Sequence, residues 1–142
     1  MSIKLGNNGT GSVSSFGSFT VFTFQQLAQM LPELQAFTAD GTADVLPPHV
    51  SGTIIVETAG VNAMTLAAPI VGSQVNGGDS GRVITIISNS ANAHTITATG
   101  LLKTGSANVN VATFAAFAGA SLTLRASAGL WYVLASNQIT FS

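Results

Sequence analysis

His49 and His94 are the only imidazoles in the 142-residue chain, so any histidine-based acid–base or metal chemistry has to start from one of them. His49 follows Pro47-Pro48 in a connection, and His94 opens a strand-like run just after a turn. A metal site built on both, with Asp79 or Glu57 as a carboxylate ligand, needs residues that no ligand-like spacing gathers. The sequence also lacks cysteine, which removes thiolate ligands and a thiol nucleophile. Gly78-Asp79-Ser80-Gly81 has the outward form of a serine-protease nucleophile turn. That chemistry also requires a buried carboxylate and a histidine beside the serine, within a longer two-barrel chain. A glycine-rich turn leading into a strand accounts for the string without catalysis. Asp40 and Asp44 fall in a turn-rich stretch, where solvated or local turn roles are the default for aspartate. The expectation is therefore no catalytic residue, no metal and no cofactor. One alternative is an ion shared on a three-fold axis, with one histidine from each chain.

The surface chemistry is as informative as the missing catalytic groups. Four basic and five acidic residues make up 6% of the chain, against 46% apolar, and the formal net charge is −1. An ordinary soluble domain is about a quarter charged. So little charge leaves sister copies with little mutual repulsion and favours association. Four scattered cations provide no footprint for nucleic acid. No apolar run approaches the roughly 18 residues of a membrane span. A surface of Ser, Thr, Asn and Gly suits burial against other protein.

The elements that would position such a surface fall into three zones. Residues 1–15, rich in Gly, Ser and Asn, read as a flexible or partner-ordered arm, with Ile3, Lys4 and Leu5 as its candidate anchoring residues. Residues 16–48 hold an aromatic strand-like run and then a short helix. Thr23 can cap that helix, and Leu27, Met30, Leu31 and Leu34 form an apolar stripe that Pro32 interrupts, ending or kinking the helix near Leu31. Residues 49–142 read as all-β: short alternating runs separated by Gly, Asn and Ser turns predict a small antiparallel β-sandwich or barrel. The run Val83-Ile84-Thr85-Ile86-Ile87 suggests a strand buried on both faces. The 109–118 stretch is ambiguous and reads as strand. No repeat of fixed period is present, so a solenoid is not expected.

Alternation places Trp131 and Tyr132 on opposite faces of one strand, the first of them core. Phe19, Phe22, Phe24 and Tyr132 are the candidate oligomer-interface residues. An exposed aromatic could also stack on a sugar ring.

Three stretches carry a resemblance. They are Ala59-Gly60-Val61-Asn62-Ala63-Met64-Thr65-Leu66-Ala67-Ala68-Pro69; Ile84-Thr85-Ile86-Ile87-Ser88 with Ala93-His94-Thr95-Ile96-Thr97-Ala98-Thr99-Gly100; and Ala112-Thr113-Phe114 followed by Gly119-Ala120-Ser121-Leu122-Thr123-Leu124 and Trp131-Tyr132-Val133-Leu134-Ala135-Ser136. Over roughly residues 50–142 the chain resembles short structural proteins of tailed bacteriophages and prophages. The resemblance implies a non-enzymatic virion component: a homotrimeric capsid decoration (cement) protein whose partners are the major capsid protein and itself, located on the capsid surface. It supplies no catalytic residues. The alternative expectation is a fibre or spike component that binds a host receptor or glycan, and a small histidine-dependent hydrolase is a third.

Overall fold

The computed structural model describes residues 36–142. The expected arm, the aromatic run and the capped helix lie outside the described residues. Within them ten strands follow in order: β1 (Ala36–Ala39), β2 (Val45–Leu46), β3 (Gly52–Val56), β4 (Ala63–Leu66), β5 (Val83–Ser88), β6 (Thr95–Thr104), β7 (Ala107–Phe114), β8 (Ser121–Ser127), β9 (Leu130–Asn137) and β10 (Ile139–Phe141). The one helical element among the described residues is a single 3-10 turn, Gln74–Asn76. The fold is all-β, a nearly closed, barrel-like sheet. Its path runs β1-β3-β5-β8-β9-β6-β4-β2, with β7 and β10 attached to the side of β6. No described helix is long and apolar enough to cross a membrane.

The pairing is mixed, where the sequence suggests antiparallel. β1, β3 and β5 stack in parallel, and so do β2, β4 and β6. The first six strands thus alternate between two stacks, each odd strand arching over to the even one. Hairpins begin only with β6–β7 and continue in β8–β9. Equivalent positions in successive coils lie 18 residues apart at Asp44 and Asn62, but 32 apart at Asn62 and His94 and at Ser51 and Val83. The long loop between β4 and β5 accounts for the larger spacing. Coils of unequal length leave no fixed period in the sequence, which is why the stacking is hidden there.

Alternation builds the core. Ile54, Ile86 and Leu122 are register partners across three strands, and all are buried. On the other stack Met64, Ile96 and Ala112 make a second buried row. Each fully buried aliphatic side chain of this size contributes about 1.5–3 kcal/mol. β5 alternates rather than being buried on both faces: Ile84, Ile86 and Ser88 are buried, while Val83, Thr85 and Ile87 are half-buried. On its outer face the Thr85 hydroxyl lies 3.2 Å from that of Thr123 on β8. β1 and β2, upstream of residue 49, form the two ends of the sheet path. The ambiguous 109–118 stretch is strand as far as Phe114.

β6 changes neighbours part-way along. Its Thr95–Thr97 segment pairs with β4, and its Leu102–Lys103 segment pairs with β9. Gly100, at φ 69°, makes the bend between them, a left-handed conformation that glycine adopts without strain. Asn110 Oδ1 accepts the Gly100 N–H at 2.8 Å, and Asn108 Nδ2 donates to the Gly100 carbonyl at 3.2 Å. Two asparagines thereby satisfy the backbone that the bend exposes.

Candidate functional site

The best-built polar cluster is centred on Asp79, in the long loop between β4 and β5. Its Oδ2 accepts from the Ile70 N–H at 2.7 Å and from His49 Nδ1 at 2.8 Å, and its Oδ1 accepts from Arg82 Nε at 2.8 Å. The carboxylate is buried, whereas His49 is 55% exposed. Burial pushes the Asp79 pKa up, but the Ile70 N–H, His49 and Arg82 outweigh it and hold the carboxyl below its ordinary value. A carboxylate on His49 Nδ1 fixes the ring's proton there, the arrangement that orients a catalytic base. Among the described residues no hydroxyl lies within hydrogen-bond distance of that ring, and no group of three or more His, Asp or Glu side chains gathers.

What the cluster does is hold a loop. Asp79 N–H donates to the Ile70 carbonyl at 2.8 Å, Ser80 N–H to Gly72 at 3.0 Å and Gly78 N–H to Ser73 at 2.9 Å. Gly78 packs so closely on Gly72 that a Cβ there would overlap the Gly72 backbone. The result is a stitched loop that presents apolar side chains to the outside: Ile70 is 50% exposed, Val71 70% and Val75 92%. Single exposed aliphatics are ordinary; three on one anchored loop point to a contact surface.

No protein-family model matches the chain, and no curated protein matches it.

His94 stands apart from His49, in a second cluster. It is fully buried, its Nδ1 accepts the Asn62 N–H at 3.1 Å, and its Nε2 lies 2.8 Å from Ser90 Oγ. Asn62, also buried, donates from Nδ2 to Asp44 Oδ2 at 2.6 Å and accepts the Asp44 N–H on Oδ1 at 3.2 Å. Asp44, Asn62 and His94 immediately precede β2, β4 and β6, so the three form a ladder up one stack. Burial pushes the His94 pKa down. The structure thus gives the two histidines separate partners: an anchored loop for one and a coil-to-coil ladder for the other.

Of the residues singled out in the sequence, Ile3, Lys4, Leu5, Phe19, Phe22 and Phe24 lie outside the described residues. Tyr132 is half-buried on the outer face of β9, and Trp131 behind it is fully buried. Sequence reasoning missed Ile70, Val71 and Val75. The available signal was aliphatic residues inside a Gly/Ser/Asn-rich loop, where no core periodicity calls for them.

Proposed function

We propose that this chain is a non-enzymatic virion structural protein, a homotrimeric capsid decoration protein that binds the outside of the assembled shell and stabilises it. The observation that carries the reading is the anchored β4–β5 loop with Ile70, Val71 and Val75 turned outward. A buried carboxylate with three donors holds it in one shape, so little ordering entropy is lost when it docks. Each aliphatic side chain moved out of water then contributes about 1 kcal/mol or more. The scarcity of charge and the resemblance over residues 50–142 support the same reading. Binding the assembled shell and not its separated subunits shifts disassembly by mass action, without chemistry.

The test is co-sedimentation of purified protein with shells, beside its mass by light scattering. A trimer that co-sediments is the expected result. Val75→Asp together with Val71→Asp should abolish co-sedimentation while leaving the melting temperature within a few degrees. Removing residues 1–15, with Ile3, Lys4 and Leu5, should likewise abolish shell binding and leave the trimer folded. A stable monomer that does not sediment with shells would sink the proposal. Because the contact surface is apolar, binding should change little between about 0.05 and 0.5 M salt.

A further inference from the structure

A second surface feature lies on the outer face of the β8–β9 hairpin. β8 buries Leu122, Leu124 and Ala126 and turns Arg125 and Ser127 outward. Arg125 is the register partner of Tyr132, so both side chains leave the same face of the sheet. Just beyond, the register shifts: Thr123 opposes Ala135 and Leu124 opposes Val133, leaving Leu134 without a partner. This is a β-bulge, a device that re-aims a side chain. Leu134, two residues on from Tyr132 along the strand, is 55% exposed. The end of the anchored loop forms the opposite wall, held by the Gly81 N–H on the Ala126 carbonyl at 2.8 Å. Together they flank an open surface cleft of about 430 Å³ lined by Ser80, Gly81, Arg125, Ser127, Tyr132 and Leu134. That volume falls within the range of about 300–1,000 Å³ typical of small-ligand sites.

The charge pattern bears on the ligand class. Only four basic residues occur in the chain. Arg82 is paired with Asp79, and Lys103 Nζ donates to the Ser106 carbonyl at 2.8 Å and to Asn108 Oδ1 at 3.0 Å. Among the described residues Arg125 makes no ion pair and no side-chain hydrogen bond, and no carboxylate lines the cleft. A single guanidinium fork matches one carboxylate bidentately. Beside it, the Tyr132 ring and Leu134 offer an apolar wall of the kind that packs on the C–H face of a pyranose. The Ser80 and Ser127 hydroxyls can exchange hydrogen bonds with sugar hydroxyls.

We infer that this cleft binds a carboxylate-bearing sugar residue, a uronic or sialic acid, with Arg125 on the carboxylate and Tyr132 on the ring. The inference stands independently of whether the protein coats shells.

The experiment is titration of the full chain, by calorimetry and ligand-observed NMR, with oligosaccharides ending in glucuronic or sialic acid. Matched neutral oligosaccharides and sodium acetate are the comparison ligands. The expected result is an acidic-sugar Kd of about a millimolar or tighter, with the neutral sugar and acetate at least about tenfold weaker. Arg125→Gln and Tyr132→Ala should each weaken binding about tenfold or more, while Tyr132→Phe, which keeps the ring, should retain most of it. Arg125 is exposed, so Arg125→Gln tests the site without threatening the fold. No binding of either acidic sugar at millimolar concentration overturns the inference. So does unchanged affinity in Arg125→Gln, or acetate binding as tightly as the sugar.

Discussion

The backbone N–H of Asn62 donates to Nδ1 of His94 at 3.1 Å, and both residues are entirely buried. That bond decides the state of the imidazole. With Nδ1 accepting, the ring's single proton sits on Nε2, where it is donated to Ser90 Oγ. Protonating Nδ1 would set two donors face to face in a site closed to water. The same Asn62 uses both side-chain polar atoms on Asp44 and gives its carbonyl to the Thr95 N–H. One residue thereby fastens three successive coils whose lengths differ, and does so with no polar atom left over. A fully satisfied network of this kind fixes the register of parallel strands, which sequence alternation alone leaves open.

A pH dependence of stability follows from the neutral His94. Its folded pKa lies below the ordinary value of about 6.5, so beneath that pH the unfolded chain binds a proton that the folded one refuses. The contribution is fully present above about pH 6.5 and is lost as pH falls through that value, by up to about 1.4 kcal/mol per pH unit. Urea unfolding at pH 7.5, 6.5, 5.5 and 4.5 measures it. His94→Asn, which offers Oδ1 in place of Nδ1, should be less stable at neutral pH but should lack this slope. An identical slope in the variant would assign the acid sensitivity to another group.

The Asp79 anchor makes a separate prediction at lower pH. Its carboxyl titrates below the ordinary value, so its contribution is present above about pH 4 and is lost as pH falls through the depressed folded pKa. Asp79→Asn keeps the shape but turns an NH2 towards at least one donor, and should lose about 2–3 kcal/mol. His49→Ala removes only a half-exposed partner and should lose under about 1 kcal/mol. Gly78→Ala forces a side chain onto the Gly72 backbone and should displace the loop. Limited proteolysis around residues 70–78 should therefore accelerate in Asp79→Asn and Gly78→Ala but not in His49→Ala.

Much of the strand structure was legible in the sequence because period-two alternation is local. Thr95-Ile96-Thr97-Ala98 announces its own inward face, and Ile96 and Ala98 are indeed buried. The opposed faces of Trp131 and Tyr132 follow in the same way. The parallel stacking was not legible, since it depends on arches whose lengths share no period. Nor was the Asp79–His49 contact, which joins residues 30 apart, one of them a lone acid in a glycine-rich turn. The β-bulge opposite Thr123 and Leu124 was not legible either, since nothing in Val133-Leu134-Ala135 marks where the register slips.

The β8–β9 turn contains a removable strain. Ser127 pairs with Leu130, leaving Ala128 and Gly129 as a two-residue loop with φ of 50° and 77°. Positive φ at both positions is the type I′ turn, which favours Asn-Gly. Alanine in the left-handed region carries a penalty of about 1–2 kcal/mol that asparagine partly relieves. Ala128→Asn should therefore stabilise the protein by about 0.5–1 kcal/mol, read as a higher urea midpoint at unchanged m-value.

Trp131 and Tyr132 provide the sharpest separation of fold from surface, being adjacent in sequence and opposite in role. The Trp131 indole is wholly buried, and its Nε1–H donates to the Ala67 carbonyl at 2.9 Å, tying β9 to the end of β4. Trp131→Ala would leave a cavity and an unsatisfied carbonyl, and should lose about 3–5 kcal/mol. Trp131→Phe keeps most of the volume but not the donor, so a loss of about 1–3 kcal/mol is expected. Tyr132→Ala, on the outer face, should lose no more than about 1 kcal/mol. Since Trp131 is the chain's one tryptophan, its fluorescence follows unfolding in the parent and in Tyr132→Ala, and circular dichroism serves the Trp131 variants. If Tyr132→Ala were as destabilising as Trp131→Ala, the outer face of β9 would belong to the core, and the acidic-sugar site proposed beside Arg125 would fall with it.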